Sequence, residues 1–309
     1  MSTSGGARAI VAAFAANLGI AVTKFIGFLI TGSSSLLAES VHSLADTGNQ
    51  GLLLLGRRRA RRPADDAHPF GYGRERFFWA FVVALVLFAL GALFAIYEGI
   101  HKVTHPEPLT APGVAIGLLL VAVALESWSF RTALSEAREH GGGGRGLLGF
   151  VHRSKNPELP VVLLEDMGAL AGLVVALTAS VLAWKVDPVW DGWGTLLIGA
   201  LLAVIAVFLA VEMKSLLIGE AASPDDLAAI RAAIDDCPAT SRLIHLRTEH
   251  LGPEQILVAM KVAFVDGLDV PALAAAIDEV EAAVRVAVST VTLVYVEPDL
   301  DRGPSRIVV

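Results

Sequence analysis

His42 and Asp46 stand four residues apart in a largely apolar stretch. On an α-helix that spacing places an imidazole and a carboxylate on one face, one turn apart. Glu39, three residues before His42, shares that face. Much later in the chain, Glu165 and Asp166 interrupt a second apolar stretch. One imidazole and several carboxylates, desolvated together, repel one another if all are ionised. They must take up protons or bind a cation. Imidazole with carboxylate suits a borderline divalent ion such as zinc, and carboxylate enrichment also admits manganese or iron. His42 is the natural proton carrier near neutral pH, so the same groups can exchange metal for protons. The bland alternative for each is a polar contact between helices, and Glu39 can also simply lie near an outer surface. A further candidate is the loop Asp65-Asp66-Ala67-His68-Pro69-Phe70-Gly71-Tyr72-Gly73-Arg74, where Asp65 and His68 could form a surface cation site. Equally, Gly71 and Gly73 allow tight turns, and the loop can be purely structural; both readings stay open.

The elements that must position these groups follow from composition. The chain has 309 residues, 54% hydrophobic and only 18% charged. Soluble domains carry about 25% charged residues. A single cysteine, Cys237, excludes a disulfide framework, and Gly and Pro show no collagen-like period. No basic face marks a nucleic-acid binder. A membrane-spanning helix needs about 20 apolar residues. Six stretches qualify: Ala9–Thr31, Leu36–Gly56, Phe77–Val103, Pro112–Ala133, Leu159–Trp184 and Val189–Leu217. The first is read as a span rather than a cleaved signal, since no A-x-A-like site follows it. An ionisable group at a span centre costs roughly 2.5–3.5 kcal/mol on insertion scales, so such groups mark function by default.

Orientation follows from the basic residues of the short loops. Arg57, Arg58, Arg59, Arg61, Arg62, Arg74 and Arg76 follow the second stretch; Arg138, Arg145, Arg153 and Lys155 follow the fourth. The alternate loops are bare apart from Lys185. Both termini are therefore expected in the cytoplasm. Asp46 then lies about ten residues, or ~15 Å, from the cytoplasmic end of its helix, near the bilayer midplane. The second and fifth stretches run in opposite directions, so their acidic positions can meet at similar depth. Lys24 can snorkel or pair with an acid, while Glu126 and Glu212 lie toward the cytoplasmic ends of their stretches. Asn17 and Asn49 can hydrogen-bond between helices, and Asn49 can also approach an ion at Asp46.

Residues 1–218 are thus expected to form a six-helix transmembrane domain, and residues 219–309 a small cytoplasmic α+β domain. The region from Glu220 onward holds 15 acids and 7 bases, against 16 and 17 before it. Gly141-Gly142-Gly143-Gly144-Arg145-Gly146 reads as a flexible tether, with His140 and His152 beside it. Ser223-Pro224-Asp225-Asp226 is a helix start: a Ser cap, Pro in the first turn, acids at the positive dipole end. That helix runs to about Asp236. Leu243–His250 and Ile256–Phe264 read as strands around Gly252-Pro253, Val270–Val286 as a helix and Thr290–Val296 as a strand. The order is α-β-β-α-β.

With these residues in place, the chain resembles the cation diffusion facilitator family. The resemblance rests on Gly32-Ser-Ser-Ser-Leu-Leu-Ala-Glu-Ser-Val-His42-Ser-Leu-Ala-Asp46, on His68-Pro-Phe-Gly-Tyr-Gly-Arg-Glu75 and on the six-stretch layout with its tail domain. It implies a homodimeric membrane exporter of zinc or a related divalent metal, driven by proton antiport, and not an enzyme. The transported ion is cargo, with no cofactor bound permanently; membrane lipid, protons and a second copy are the implied partners, with no nucleic acid. His42 and Asp46 match the family's first ligand pair, and Asp166 the later member of its second pair. The earlier member falls at Val162, a departure. Leu163-Leu-Glu-Asp-Met-Gly-Ala-Leu170 instead resembles the divergent branch that includes the mitochondrial zinc exporter, where an acid pair stands at this place. Glu165 can replace the lost ligand, although it is about 100° around the helix from Asp166. Tyr72 and Tyr295 stand where the family's bacterial zinc exporters carry His. His245, His250, Glu297 and Asp299 remain, and dimer contact is the expected task of the tail domain. A membrane metal sensor or partner-binding protein that does not transport is the alternative, motivated by Val162. The plasma membrane is the expected location.

Overall fold

The computed structural model describes residues 18–139, 155 and 157–300. The start of the first apolar stretch with Asn17, the glycine tether, His140 and His152 lie outside the described residues. Within them, helices occupy each of the six stretches: α1 (Leu18–Thr31), α2 (Ser34–Ala60), α3 (Glu75–Thr104), α4 (Pro112–Glu139), α5 (Glu158–Lys185) and α6 (Val189–Ile218). Three segments among the described residues are long and apolar enough to cross a membrane: Glu75–Thr104, Pro160–Lys185 and Val189–Ile218. Leu18–Thr31 and Pro112–Trp128 are shorter apolar helices. α2 is as long as its neighbours, but Glu39, His42, Asp46, Asn49, Gln50 and the closing Arg57–Arg59 lower its hydropathy. α3 contains a π-helical turn, Leu87–Leu93, whose Gly91 faces Leu202 of α6.

By contact, the chain separates into two compact units. The first comprises the residues up to Arg59 and Arg76–Lys214. Its helices approach closely through glycines. A Cβ added at Gly99 would stand 2.8 Å from the Leu196 amide nitrogen, one at Gly192 2.7 Å from that of Val103, and one at Gly199 2.9 Å from that of Ile96. Backbone therefore meets backbone along α3 and α6, the packing that small residues permit where apolar helices have no hydrophobic reason to associate. At one end of this unit, Thr110 N–H donates to Thr31 O (3.0 Å), the Lys102 ammonium to Gly32 O (3.3 Å) and the Ser33 hydroxyl to Asp191 (3.1 Å). Arg76 and Glu158, at the starts of α3 and α5, pair at 2.9 Å.

The second unit comprises Ala60–Glu75 and the chain from Ser215. α7 (Pro224–Asp235) begins as the sequence indicates: Ser223 accepts from the Asp226 N–H at 3.1 Å, and Pro occupies the first turn. β1 (Thr240–Gly252) and β2 (Gln255–Phe264) form an antiparallel hairpin closed by Pro253-Glu254. Both strands exceed their expected ranges, because pairing continues from Gly252↔Gln255 at the turn to Thr240↔Phe264 at the open end. α8 (Val270–Ala287), capped by Asp269 accepting from Ala272 N–H, crosses over to β3 (Val291–Pro298), which runs parallel to β2. The sheet order is β1-β2-β3. One face of β2, Ile256, Val258, Met260 and Val262, is buried with Ile230 and Ile234 of α7 and Val280 and Val284 of α8. The alternating pattern of these strands is what a sheet with one covered face requires.

Two predictions follow from this packing. Gly199→Leu should destabilise the helical unit by about 1–3 kcal/mol, the usual cost of overpacking, seen as a lower thermal midpoint in detergent. Ser223→Ala should cost about 1 kcal/mol through loss of the cap, read by denaturant unfolding followed at a reporter in the second unit.

Candidate metal centre

α2 starts after a two-residue break between helices. Gly32 takes φ +66°, open to glycine without strain, and ends α1. Ser33 then accepts from the Leu36 N–H at 3.4 Å, the position of an N-cap. From there the polar face descends in helical steps. Glu39 is fully buried and its Oε2 lies 3.2 Å from the Lys24 ammonium of α1. The same ammonium donates to the Ser43 hydroxyl at 2.8 Å. His42 is 1% exposed, with Nε2 3.5 Å from Asp46 Oδ2. Asn49 donates to Glu165 Oε1 of α5 at 2.7 Å.

α5 brings its two acids to α2 through small residues. Gly172 lies against Glu39, where an added Cβ would meet Oε1 at 2.6 Å, and Gly168 lies against Ile205 of α6. Between α2 and α5 is a cavity of about 10 Å³, on the scale of one water-sized sphere. α2 lines it with Ser43, Asp46 and Gln50; α5 with Val162, Glu165 and Asp166; Glu126 of α4 and Ile20 of α1 complete the wall.

The expected residues are thus distributed in three places. Asp46, Glu165 and Asp166 share one cavity, with His42 beside Asp46. Glu39 is held by Lys24 instead. Asp65 and His68 belong to the other unit. Among the described residues, no three His, Cys, Asp or Glu side chains converge closely enough to hold a metal ion as they stand. Yet both ring nitrogens of His42, Asp46 Oδ1, Asn49 Oδ1 and Gln50 Oε1 are buried without a hydrogen-bond partner. Buried polar atoms are normally satisfied, so this group of side chains has unused lone pairs. Gln50 and Glu126 were not singled out as candidates from the sequence. Gln50 follows Asp46 at i+4, so helical spacing could have found it; Glu126 reads from the sequence only as a charge toward the end of its stretch, and its place on the cavity wall comes from the packing of α4.

The loop around Asp65 is closed on itself. Asp65 accepts from the Tyr72 hydroxyl (2.7 Å) and from the N–H groups of His68 (2.8 Å) and Ala67 (3.1 Å). His68 Nδ1 stands 3.5 Å from Asp65, and its ring lies 4.3 Å from that of Tyr72. The Tyr72 hydrogen bond, then that of the His68 amide, hold the Asp65 carboxyl below its usual range, and the same bond pushes the Tyr72 phenol up. Arg74 pairs with Glu249 of β1, and Gly73 lies against Leu251 and Gln255 of the hairpin. In the sheet, Lys261 binds Glu297 (3.0 Å) and Asp299 (3.2 Å), and the two carboxylates raise its ammonium above the usual range. His245 Nε2 accepts from Arg247 at 2.9 Å.

These two units, one helical and apolar with a polar cavity, the other a small α/β layer, are those of a membrane protein with a tail domain. The sequence matches the cation efflux transmembrane domain over residues 10–218. The chain belongs to the cation efflux family, also called the cation diffusion facilitators. It is 29% identical over 243 residues to a Mus musculus protein named proton-coupled zinc antiporter SLC30A9, mitochondrial, covering 78% of this chain and 43% of that one. It is 28% identical over 260 residues to metal tolerance protein C4 of Arabidopsis thaliana, covering 83% of this chain and 57% of that one. Over a shorter stretch of 138 residues it is 36% identical to cation-efflux pump FieF of Salmonella arizonae, covering 42% of this chain and 45% of the pump. The chain spans about half the length of these curated relatives.

The closed loop gives a pH test. A depressed carboxyl adds stability that is complete above its ordinary value, about 3.9, and is lost as pH falls through the depressed value. Tyr72→Phe removes the largest cause of the depression, so Asp65 should titrate at a higher pH, and the loop should loosen at a higher pH. Carbon-13 NMR of the carboxyl group measures the first, and limited proteolysis across a pH series the second.

Proposed function

We propose that this chain is a divalent metal cation exporter that exchanges metal for protons, with zinc as its main substrate. All six apolar stretches cross the membrane in this reading, both termini are cytoplasmic, and the membrane is the plasma membrane. The carrying observation is the cavity at which Asp46 of α2 meets Glu165 and Asp166 of α5. The names of the relatives, a proton-coupled zinc antiporter and a cation-efflux pump, support the same reading. Manganese, iron, cobalt and nickel are the alternative substrates, since a carboxylate-rich donor set does not exclude them.

The metal enters from the cytoplasm and sheds water among His42, Asp46 and Asp166, with Glu165 turned away from Asn49 to join them. Charge that is unfavourable among ionised carboxylates alone is balanced by the dication. When the helices rock to the outward state, protons replace the metal on the same groups, and the protonated carrier returns. Protons and metal compete for one set of lone pairs, and that competition is the physical basis of exchange. The second unit serves as the contact between two copies.

A second reading is a membrane metal sensor or partner-binding protein that does not transport. Val162 favours it, because it places an apolar side chain on the cavity wall where a donor would be useful. Proteoliposomes with an internal pH dye separate the two. Zinc, manganese, cobalt, nickel and iron(II) are added one at a time. The expected result is a metal-evoked pH change with the wild type, reduced more than about tenfold in Asp46→Ala and in Asp166→Ala, since even outer-shell partners of a metal are worth about 10–100-fold. Transport retained by either variant overturns the site. Binding by calorimetry without any pH change establishes the sensor reading.

A further inference from the structure

Lys24 and Glu126 lie on separate helices, and the structure brings both to the edge of the cavity. Lys24 is 3% exposed, and among the described residues its ammonium meets Ser43 Oγ at 2.8 Å, Glu39 Oε2 at 3.2 Å and Glu126 Oε1 at 3.9 Å. The first two are hydrogen bonds; the third is a charge contact without one. Glu126 is itself 8% exposed and forms part of the cavity wall with Asp46, Glu165 and Asp166. Val162 is on that same wall. So α4 supplies a carboxylate to a cavity where α5 presents a valine.

His42 is a second observation that points to a ligand. His42 is 1% exposed, both its nitrogens lack a hydrogen-bond partner, and Nε2 is aimed at Asp46. A divalent ion in contact with Glu126 carries twice the charge of the ammonium at a shorter range. Glu126 can therefore leave Lys24, while Lys24 keeps its two stronger bonds to Ser43 and Glu39.

We propose that Glu126 is a further ligand of the transported cation, filling from α4 the place that Val162 leaves without a donor, and that Lys24 is a tethered cation that holds Glu126 while the metal is away. The inference rests on the transport-site reading above. It adds a third helix to the site. It also ties metal binding to α1, because the ion and the Lys24 ammonium compete for one carboxylate.

The test is zinc and manganese binding to the full chain in detergent by calorimetry. Glu126→Gln keeps the side-chain shape and should weaken zinc binding at least tenfold; Val162→Asp in the same background should restore most of it. Unchanged affinity in Glu126→Gln, with binding lost in Asp46→Asn, overturns the inference and leaves the transport site standing. Unchanged affinity in Asp46→Asn overturns the transport site itself. A second variant covers a failure of Glu126→Gln to fold and separates ligation from positioning. In a Cys237→Ser background, Glu126→Cys places a thiolate at the position, and bound cadmium should give a thiolate-to-metal charge-transfer band in the ultraviolet. Cadmium bound without that band overturns the proposal.

Discussion

A carboxylate surrounded by apolar helices cannot stay charged without a cation or strong donors close by. Each acid of the helical unit meets that demand differently. Glu39 has the Lys24 ammonium. Glu165 has the Asn49 amide. Asp46 has the neighbouring imidazole at ion-pair distance, and among the described residues one of its oxygens has no hydrogen-bond partner. Glu126 shares Lys24 at the longest of the three distances. Glu39 and Glu165 thereby tie α2 to α1 and to α5, while Glu39 and Asp46 each keep one buried oxygen without a hydrogen-bond partner among the described residues.

The remainder of the helical unit makes that arrangement possible. Glycines at 168 and 172 let α5 carry its acids close to α2 and α6, and glycines at 99, 192 and 199 bring α3 and α6 into backbone contact. Small residues are needed here because packing between apolar helices in lipid depends on close approach and not on burial from water. The polar face of α2 lowers its hydropathy below that of α3, α5 and α6. A helix that carries so many polar side chains has to accept that compromise, and its neighbours supply the apolar surface it lacks.

The second unit is stabilised by ordinary soluble-protein chemistry. Its helices have side-chain caps at Ser223 and Asp269, and its sheet buries one face. Polar groups of this unit are engaged with each other. Tyr72 occupies Asp65, Lys261 holds Glu297 and Asp299, and His245 accepts from Arg247. The stretch Ala60–Glu75, read from the sequence as a basic loop between two helices, groups with this unit through Arg74 and Gly73. Composition gave no sign of that, because the contact joins residues far apart in the chain.

The legible part of the structure was the local part. Four-residue spacing put His42 beside Asp46, and they do face one another, because helical geometry is set within a turn. Ser-Pro-Asp at position 223 and alternating apolar residues at 256–262 gave the α-β-β-α-β order, because caps and strand faces are also local. Strand length was underread, since the polar ends of β1 are held by cross-strand pairing that no single strand reveals. What the sequence could not decide was which buried charge meets which. Lys24 could snorkel or pair; its choice of Glu39 and Ser43 depends on how α1 lies against α2. Glu165 read as a replacement ligand, and whether it faces Asn49 or an ion depends on the rotation of α5. Glu126 gained its place on the cavity wall only when α4 packed against α5. Sequence by itself determined the kinds of charge buried in this protein and the faces that carry them, since both follow from residue type and helical period. Tertiary structure alone decided their partners, because electrostatic pairing depends on distances across helices, and those are fixed only when the helices pack.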